Sequence, residues 1–415
     1  MWTRLIIILG VIGLSEFYSY IVIRSALRSL PASWRTALTV LYIVLTCLTW
    51  LGIVLFRQVN WAALPHMLRN IYITFTLGFI AGKLLILVFM LLDEGRRLVA
   101  WVTQLFYTGG TAVTAVGYSG IPRSVFISRL ALLAGGAIVT AFIYGTVNRY
   151  TYRVRRIRLR LAALPEAFRG LKIVQLSDIH TGSFDNPAAV MKGIQKVLDE
   201  KPDLILFTGD LVNNKTDEVE GYREMFAALS APMGVYSVLG NHDYGDYVSW
   251  DTPAEKRHNL ERLMEVQQEM GWRLLMNEHV LLERGGQQIA LIGIENWSAR
   301  AGFPKYGNMR KAYEGLPEKN IPFKILLSHD PSHWDAEVRP QYPDIQLTLS
   351  GHTHGMQFGV EIPGFRWSPA QYVYKEWAGL YHEGAQYLYV NRGFGFLGYP
   401  GRLGIMPEIT VIELE

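Results

Sequence analysis

The apolar positions of this chain follow two different patterns. Up to residue 150 they form long continuous runs, the main ones at 5–23, 37–56, 71–92 and 126–147. The run at 37–56 is the clearest, since it carries no charge over about 20 residues, enough to cross the hydrocarbon core of a bilayer. The first pattern therefore predicts a transmembrane α-helical anchor of about four spans over residues 1–150.

Other positions in this first part leave alternatives open. The run at 98–116 is weaker and rich in glycine and threonine, so we interpret it as interfacial or buried against the other helices, with a fifth span as the alternative. Glu16 and Lys83 lie within predicted spans, where a charge is costly and often functional. They are expected either to pair inside the bundle or to reach water or a headgroup separately.

After residue 150 the apolar runs become short and alternate with helical patterns. Between 153 and 160, arginines alternate with apolar residues, a period of two that favours a half-buried strand over a lipid-binding basic segment. Further strands are expected at 171–176, 204–207, 235–239, 273–275, 280–283, 288–294, 323–327, 345–349, 387–391 and 408–414, and helices at about 187–200, 217–229 and 253–270. This order predicts an α/β domain over residues 151–415, with two mixed sheets sandwiched between helices.

The charges are distributed as unevenly as the apolar residues. Residues 1–150 carry 12 Lys/Arg and 3 Asp/Glu, whereas residues 171–415 carry 22 and 32. An acidic second part argues against nucleic acid as a partner, because a nucleic-acid-binding protein needs a basic face. The single cysteine, Cys47, excludes an intramolecular disulfide and a cysteine-based metal site.

Five short polar motifs follow the predicted strands of the second part. They are Asp178-Ile-His180, Gly209-Asp210, Gly240-Asn241-His242-Asp243, Ser328-His329 and Gly351-His352-Thr353-His354. Alone, each motif is most simply a turn or a stray polar site. Together, in order and at strand ends, they predict a metal centre, because loops at the carboxyl ends of strands hold the sites of α/β folds.

The residue types also predict how two divalent ions would share these ligands. A pair of ions about 3.5–4 Å apart needs a bridging carboxylate, and Asp210 is the natural bridge. Asp178 and His180 are expected on the first ion, since residues i and i+2 share a side in extended chain, while His352 and His354 would each hold one ion. Asn241 and His329 complete the second ion. His242 is expected to be the general acid, with Asp243 orienting it or pairing with it.

In these motifs the chain resembles the calcineurin-like metallophosphoesterase superfamily, over about residues 153–415. Ser328-His329-Asp330-Pro331 and the tail from Asn391 are similar to its membrane-associated bacterial branch, and the anchor resembles that of members with several N-terminal spans. The resemblance implies a β-sandwich flanked by helices, Mn, Fe or Zn as the two ions, and a metal-bridging hydroxide as nucleophile. It implies one ion on Asp178, His180, Asp210 and His354, the other on Asp210, Asn241, His329 and His352, and His242 as catalytic acid.

We therefore expect a membrane-anchored phosphohydrolase acting on a phosphodiester or pyrophosphate, with a lipid-linked nucleotide such as UDP-diacylglucosamine as the leading example. The alternatives are a tethered enzyme for soluble phosphoesters and a membrane sensor or scaffold with a ligand-binding domain. The arginines flanking the spans favour a cytoplasmic catalytic half, and the resemblance implies a protein of the bacterial inner membrane. Seven aromatic residues are expected either to form an apolar rim beside the metals or to pack in the core: Trp250, Trp297, Trp367, Trp377, Phe394, Phe396 and Tyr399.

Overall fold

The structure, a computed structural model, describes residues 2–55, 64–106, 123–316 and 319–415. The chain divides into two compact units, Met1–Tyr144 and Gly145–Glu415. The division falls a few residues before the boundary that the sequence predicts at residue 150. We refer to the first part as the membrane unit and to the second as the catalytic unit.

In the described part of the membrane unit, the predicted spans lie on the helices α1 (Trp2–Ala26), α2 (Ala32–Val54), α3 (His66–Phe106) and α4 (Arg123–Gly145). Among the described residues, three segments are long and apolar enough to cross a membrane: Ala32–Val54, Met67–Phe106 and Ser124–Tyr150. The interpretation of 98–116 as buried against the other helices is wrong for residues 98–106, which are exposed. Residues 98–106 continue α3 without a break, and the remainder lies outside the described residues.

Glu16 and Lys83 form an ion pair between α1 and α3. The Lys83 ammonium lies 2.7 Å from both carboxylate oxygens of Glu16 and 3.0 Å from the Thr46 hydroxyl. Trp50 Nε1 donates to the same carboxylate at 2.9 Å. The predicted pairing is therefore confirmed, and the alternative of separate contacts with water or headgroups is wrong.

The described strands of the catalytic unit are β1 (Arg153–Leu159), β2 (Lys172–Leu176), β3 (Leu204–Phe207), β4 (Val235–Ser237), β5 (Trp272–Leu274), β6 (Glu278–Arg284), β7 (Gln287–Gly293), β8 (Lys324–Leu327), β9 (Leu347–Ser350), β10 (Val360–Ile362), β11 (Phe365–Trp367), β12 (Gly379–Glu383), β13 (Gln386–Val390) and β14 (Glu408–Leu414). One mixed sheet has the order β1-β14-β2-β3-β4-β5 and a second the order β12-β13-β9-β8-β7-β6. The strands β10 and β11 form a separate antiparallel hairpin. The predicted pair of mixed sheets is confirmed.

The two sheets pack face to face because their inner strands are apolar on both faces. Ile173 and Leu206 from the first sheet share one buried cluster with Leu291 and Leu349 from the second. Strands buried on both sides read as continuous apolar runs, which is why β2, β3, β8 and β9 were visible in the sequence.

Helices cover the outer faces of this sandwich. The helices α5 (Pro187–Asp199), α6 (Arg223–Ala227) and α7 (Pro253–Glu269) pack on the first sheet, and α8 (Met309–Tyr313) packs on the second. The single helix predicted at 217–229 is split into a 3₁₀ turn, Thr216–Val219, and α6. Gly221 lies between them, and glycine weakens a helix interior by about 1 kcal/mol.

The arginine-rich strand predicted at 153–160 is β1, which pairs in parallel with β14. Its arginines contact acidic neighbours: Arg156 with Glu200 and Arg158 with Glu413. The strand interpretation is therefore confirmed over that of a free basic segment. Since β14 runs antiparallel to β2, β1 begins at the sheet edge where β2 ends.

Candidate metal centre

The loops that carry the predicted ligands have an uncommon backbone conformation. The φ angles of Asp178, His180, Asp210, His352 and His354 are 52°, 52°, 63°, 70° and 50°. Residues other than glycine rarely adopt this left-handed region, and they do so mainly where the surroundings hold them at functional sites. The expectation that i and i+2 share a side in extended chain is thus wrong as a reason, although each pair still converges.

Neighbouring loops hold this backbone in place by main-chain hydrogen bonds. The amide of Asp178 donates to the Gly209 carbonyl at 2.9 Å, and the amide of His180 donates to the Asp210 carbonyl at 3.1 Å. A side chain at Gly240 would place its Cβ 2.2 Å from Asp210 Oδ1. The glycine of that motif is therefore required by close packing against the ligand loop.

The first of two ligand clusters contains Asp178, His180 and His354. One ligand atom from each lies within 4.8 Å of the others, and all three residues are buried. His354 Nε2 lies 3.2 Å from Asp178 Oδ1 and 3.1 Å from His180 Nε2. These are the residues that the family resemblance assigned to one ion together with Asp210.

The second cluster contains Asp210, His329 and His352, again with ligand atoms within 4.8 Å. His352 Nδ1 and Asn241 Oδ1 lie 3.3 Å and 3.2 Å from His329 Nε2. The structure thus brings the four residues assigned to the other ion together.

One carboxylate oxygen of Asp210 faces both clusters. Its Oδ2 is 3.6 Å from His180 Nε2 in the first cluster and 3.1 Å from His329 Nε2 in the second. Its Oδ1 accepts the His242 amide at 2.8 Å. Asp210 therefore offers Oδ2 to both clusters, which is the geometry of a bridging carboxylate.

The pKa shifts show how strongly these groups interact. Burial alone would raise the pKa of Asp210, but His329 and His242 lower it well below the usual range. Burial lowers the pKa of His180 to about 3, whereas the pKa of His329 is raised to about 10 because the attraction of Asp210 outweighs burial. The clusters thus favour positive charge beside Asp210.

The donor chemistry fits divalent ions. Carboxylate and amide oxygens and imidazole nitrogens converge without sulfur, a set suited to Mn, Fe or Zn. Two pairs of histidine nitrogens face each other, His180 with His354 at 3.1 Å and His329 with His352 at 3.3 Å. Two facing nitrogens cannot both carry a proton, whereas a metal ion would accept a lone pair from each.

Further hydrogen bonds orient the ligands, as is usual around metal sites. His329 Nδ1 donates to the Thr208 carbonyl at 2.7 Å, which leaves Nε2 as its ligand atom. The Tyr374 hydroxyl lies 2.8 Å from His352 Nε2, and Asn241 Nδ2 donates to the Tyr247 hydroxyl at 2.9 Å. Sequence reasoning missed both tyrosines, since no motif marks them.

Sequence reasoning also missed Arg402. Its side chain is fully buried, and Nη2 lies 3.2 Å from His354 Nδ1. The same guanidinium donates to the carbonyls of Arg392 at 2.8 Å and Gly395 at 3.1 Å. Burial lowers the pKa of Arg402 to about 9. It therefore ties the His354 loop to the tail of the chain.

His242 stands beside the clusters and is not a member of either. Its Nδ1 donates to the Asn213 carbonyl at 2.7 Å, and its ring centre lies 5.1 Å from that of His180. The expectation that Asp243 orients it is wrong. The Asp243 carboxylate instead accepts the amides of Gly240, Asp210, Leu211 and Val212 at 2.8–3.2 Å, so it fixes the ligand loop.

A cavity of about 300 Å³ opens beside the clusters. Its walls combine the metal-site residues with apolar ones: Phe303, Met356, Ala370, Val373, Tyr374 and Leu397. Among the described residues that line it there is no lysine or arginine. The seven aromatic residues expected as a rim are not in this lining, and Trp377, Phe394 and Phe396 are buried in the core. The rim alternative is therefore wrong for these seven residues, and the alternative of core packing is confirmed for Trp377, Phe394 and Phe396.

The α/β sandwich and the bridged ligand set define a class, the metal-dependent phosphoesterases. Residues 171–356 match the family described as Calcineurin-like phosphoesterase. Residues 3–149 match the family described as Probable Calcineurin-like phosphoesterase, transmembrane domain. The chain belongs to the calcineurin-like phosphoesterases with a membrane anchor.

Individual relatives agree with this assignment. A transmembrane protein with metallophosphoesterase domain from Danio rerio is 32% identical over 67% of this chain, although the match spans only 61% of that protein. The uncharacterized metallophosphoesterase YkuE of Bacillus subtilis is 31% identical over 68% of this chain and 93% of its own length. The UDP-2,3-diacylglucosamine pyrophosphatase LpxG of Chlamydia trachomatis is 28% identical over 59% of this chain and 83% of its own.

Proposed function

We propose that this protein is a membrane-anchored phosphohydrolase with two metal ions, which cleaves a phosphodiester or pyrophosphate bond in a substrate with a large apolar part. The observation that carries the proposal is the position of Asp210 Oδ2, which faces both ligand clusters at 3.6 and 3.1 Å. A lipid-linked nucleotide such as UDP-diacylglucosamine is the leading example of this substrate class.

Asp178, His180, Asp210 and His354 would hold one ion, and Asp210, Asn241, His329 and His352 the other. When bound, two such ions supply Lewis acidity and activate a water molecule for in-line attack on phosphorus. The described cavity lining offers no lysine or arginine for the phosphate. The substrate phosphate would therefore depend on the ions for its binding.

His242 would protonate the leaving oxygen. Its Nδ1 is occupied by the Asn213 carbonyl, so Nε2 is the nitrogen that transfers a proton. A histidine changes charge near neutral pH, which suits a general acid.

The apolar part of the cavity supports the substrate class. Phe303, Val373 and Leu397 line the space next to His242 and His352. A soluble nucleotide would leave these side chains in contact with its polar groups, whereas an acyl chain or lipid ring would cover them. The name of the Chlamydia relative, a UDP-2,3-diacylglucosamine pyrophosphatase, supports the same class.

Turnover by the purified full-length protein with Mn or Zn tests this function. The substrates are bis-p-nitrophenyl phosphate, p-nitrophenyl phosphate and UDP-diacylglucosamine, compared side by side. We expect the diester to be preferred to the monoester, and the lipid nucleotide to be preferred to both. Turnover of the small esters alone would refute the lipid class, and absence of all turnover with both clusters loaded would favour a sensor or scaffold.

We also propose that the catalytic unit faces the cytoplasm of a bacterial cell. An even number of spans places both ends of the membrane unit on one side, and the flanking arginines support a cytoplasmic side. A reporter fused after Glu415 tests the orientation. Alkaline phosphatase should be inactive there and green fluorescent protein fluorescent, and the opposite pair of results would reverse the assignment.

A further inference from the structure

The hairpin formed by β10 and β11 has one apolar face and one charged face, and the apolar face is the one that remains exposed. Its cross-strand pairs are Val360 with Trp367, Glu361 with Arg366, and Ile362 with Phe365. Residues directly opposite each other in an antiparallel pair share a face, and successive residues alternate between faces. One face is therefore apolar and the other carries the charged pair.

The charged face is directed to the body of the catalytic unit. Glu361 is paired with Arg155 of β1 and accepts Arg392 Nη2 at 2.7 Å. Arg366 donates to the Ala378 carbonyl and lies 4.9 Å from the ring centre of Trp377. The polar side chains thus fix the hairpin to the unit.

The apolar face remains exposed. Ile362 and Phe365 at the tip are 58% and 53% exposed, and Val360 is 43% exposed. Between them the turn Pro363-Gly364 adds no charge. We call Val360, Ile362 and Phe365 the apolar hairpin face. Exposed apolar groups arranged together mark a surface that binds a protein or a membrane.

The hairpin contacts β1, the first strand of the catalytic unit. Its Glu361 contacts Arg155, the third residue of β1. Arg153, where β1 begins, is eight residues after Gly145, the end of α4. Eight residues span at most about 28 Å even when fully extended.

The intervening segment is also packed on the catalytic unit and is not extended. The Arg402 amide donates to the Gly145 carbonyl at 2.9 Å. Arg149 forms an ion pair with Asp185 at 2.8 Å. The candidate span Ser124–Tyr150 is thus followed along the chain, after two residues, by β1 of the catalytic unit.

We propose that the apolar hairpin face inserts into the bilayer interface. A peripheral segment binds a membrane by burying an apolar face at the boundary of headgroups and acyl chains. The one acidic residue of the hairpin, Glu361, is paired with two arginines and so adds no net repulsion from anionic lipids. The hairpin begins four residues after Met356, which lines the metal-site cavity and is 44% exposed. Insertion therefore places the cavity beside the lipid surface. The proposal rests on the membrane anchor and not on any substrate.

Spin labelling of the full-length protein tests the proposal directly. The chain has one cysteine, Cys47, so Cys47→Ala gives a background in which Phe365→Cys is the only site for a nitroxide. The protein is reconstituted in nanodiscs that hold one copy each. The accessibility of the label to oxygen and to a water-soluble nickel chelate is then compared.

Two matched sites calibrate the measurement. Leu133 in α4 is 72% exposed, so a label on Leu133→Cys reports the lipid phase. Glu261 in α7 is exposed, so a label on Glu261→Cys reports water. We expect the label at 365 to favour oxygen over the nickel chelate, as at 133. Accessibility like that at 261 would overturn the proposal. The label at 365 is also compared in discs that hold two copies. Protection of the label that appears only in those discs would overturn the proposal, because it would assign the apolar hairpin face to a contact between copies.

The measurement needs no turnover, so it stays informative if the proposed reaction is wrong. Each labelled variant should keep the thermal midpoint of the Cys47→Ala parent, because Phe365 is at the surface and outside the core clusters. A shielded label together with absent hydrolysis would refute the reaction alone. An exposed label together with turnover of the lipid nucleotide would refute the insertion alone.

Discussion

Replacing His242 by asparagine is the most discriminating change to the proposed mechanism. The substitution removes the proton on Nε2 but leaves a side chain that can still bond to the Asn213 carbonyl, which His242 Nδ1 contacts at 2.7 Å. General acid catalysis contributes about 10²–10⁴ in rate. This corresponds to about 3–5 kcal/mol in activation free energy.

The loss should depend on the leaving group. A p-nitrophenolate ion leaves without protonation, so hydrolysis of bis-p-nitrophenyl phosphate should fall by less than about tenfold, well below the 10²–10⁴ that a general acid contributes. An alkyl phosphodiester, whose leaving oxygen needs the proton, should lose the full factor. Since His242 belongs to neither ligand cluster, metal content by elemental analysis should not change.

Rates across a series of diesters of increasing leaving-group basicity, for parent and variant, measure this effect. His258→Asn, the same substitution at an exposed histidine of α7, is the matched control and should leave all rates unchanged. An equal loss for aryl and alkyl diesters would contradict the assignment of His242 as the acid. Loss of metal from the variant would show instead that the histidine is a ligand.

Three further changes have defined outcomes. Asp210→Asn should abolish hydrolysis and reduce the bound metal measured by elemental analysis, because the bridging charge is lost, and full activity would exclude the bridge. Glu408 is fully buried against Arg392; burial alone would raise its pKa, but Arg392 lowers it. The stability that this pair contributes is therefore present above the unfolded pKa of about 4.3 and is lost as pH falls through the lower folded pKa. Glu408→Gln should lower the free energy of unfolding by about 3–5 kcal/mol at pH 7 and should reduce its dependence on pH in the acid range, as measured by denaturation at a series of pH values. An unchanged dependence on pH would contradict the role of the pair. Lys83→Met should lower the thermal midpoint in detergent by leaving Glu16 unpaired, and the double change with Glu16→Gln should recover most of it; additive losses would show that the pair is not coupled.

The sequence predicted the ligands because their chemistry is carried by residue type and position. Buried strands are visible as apolar runs, and a histidine or aspartate directly after such a run stands at the sheet edge. The same logic found the Glu16–Lys83 pair, since two opposite charges inside apolar helices have few other partners. These predictions depend only on local pattern and on the cost of burying charge.

The contacts that shape the site could not be predicted in this way. The carbonyl that orients His242 belongs to Asn213, and a carbonyl is the same at every position. Tyr247, Tyr374 and Arg402 come from loops with no motif of their own. The hairpin was missed because its two strands have three residues each, too short for a period to appear.

The left-handed ligand residues explain why these supporting contacts are needed. Each costs about 1 kcal/mol or more, so five of them oppose a substantial part of the net stability of an ordinary domain. The Asp243 carboxylate offsets this by accepting four amides of the two loops that carry Asp210 and Asn241. Arg402 does the same for the loop of His354 through carbonyls of the tail. The buried charges of Asp243 and Arg402 therefore stabilise the strained ligand loops.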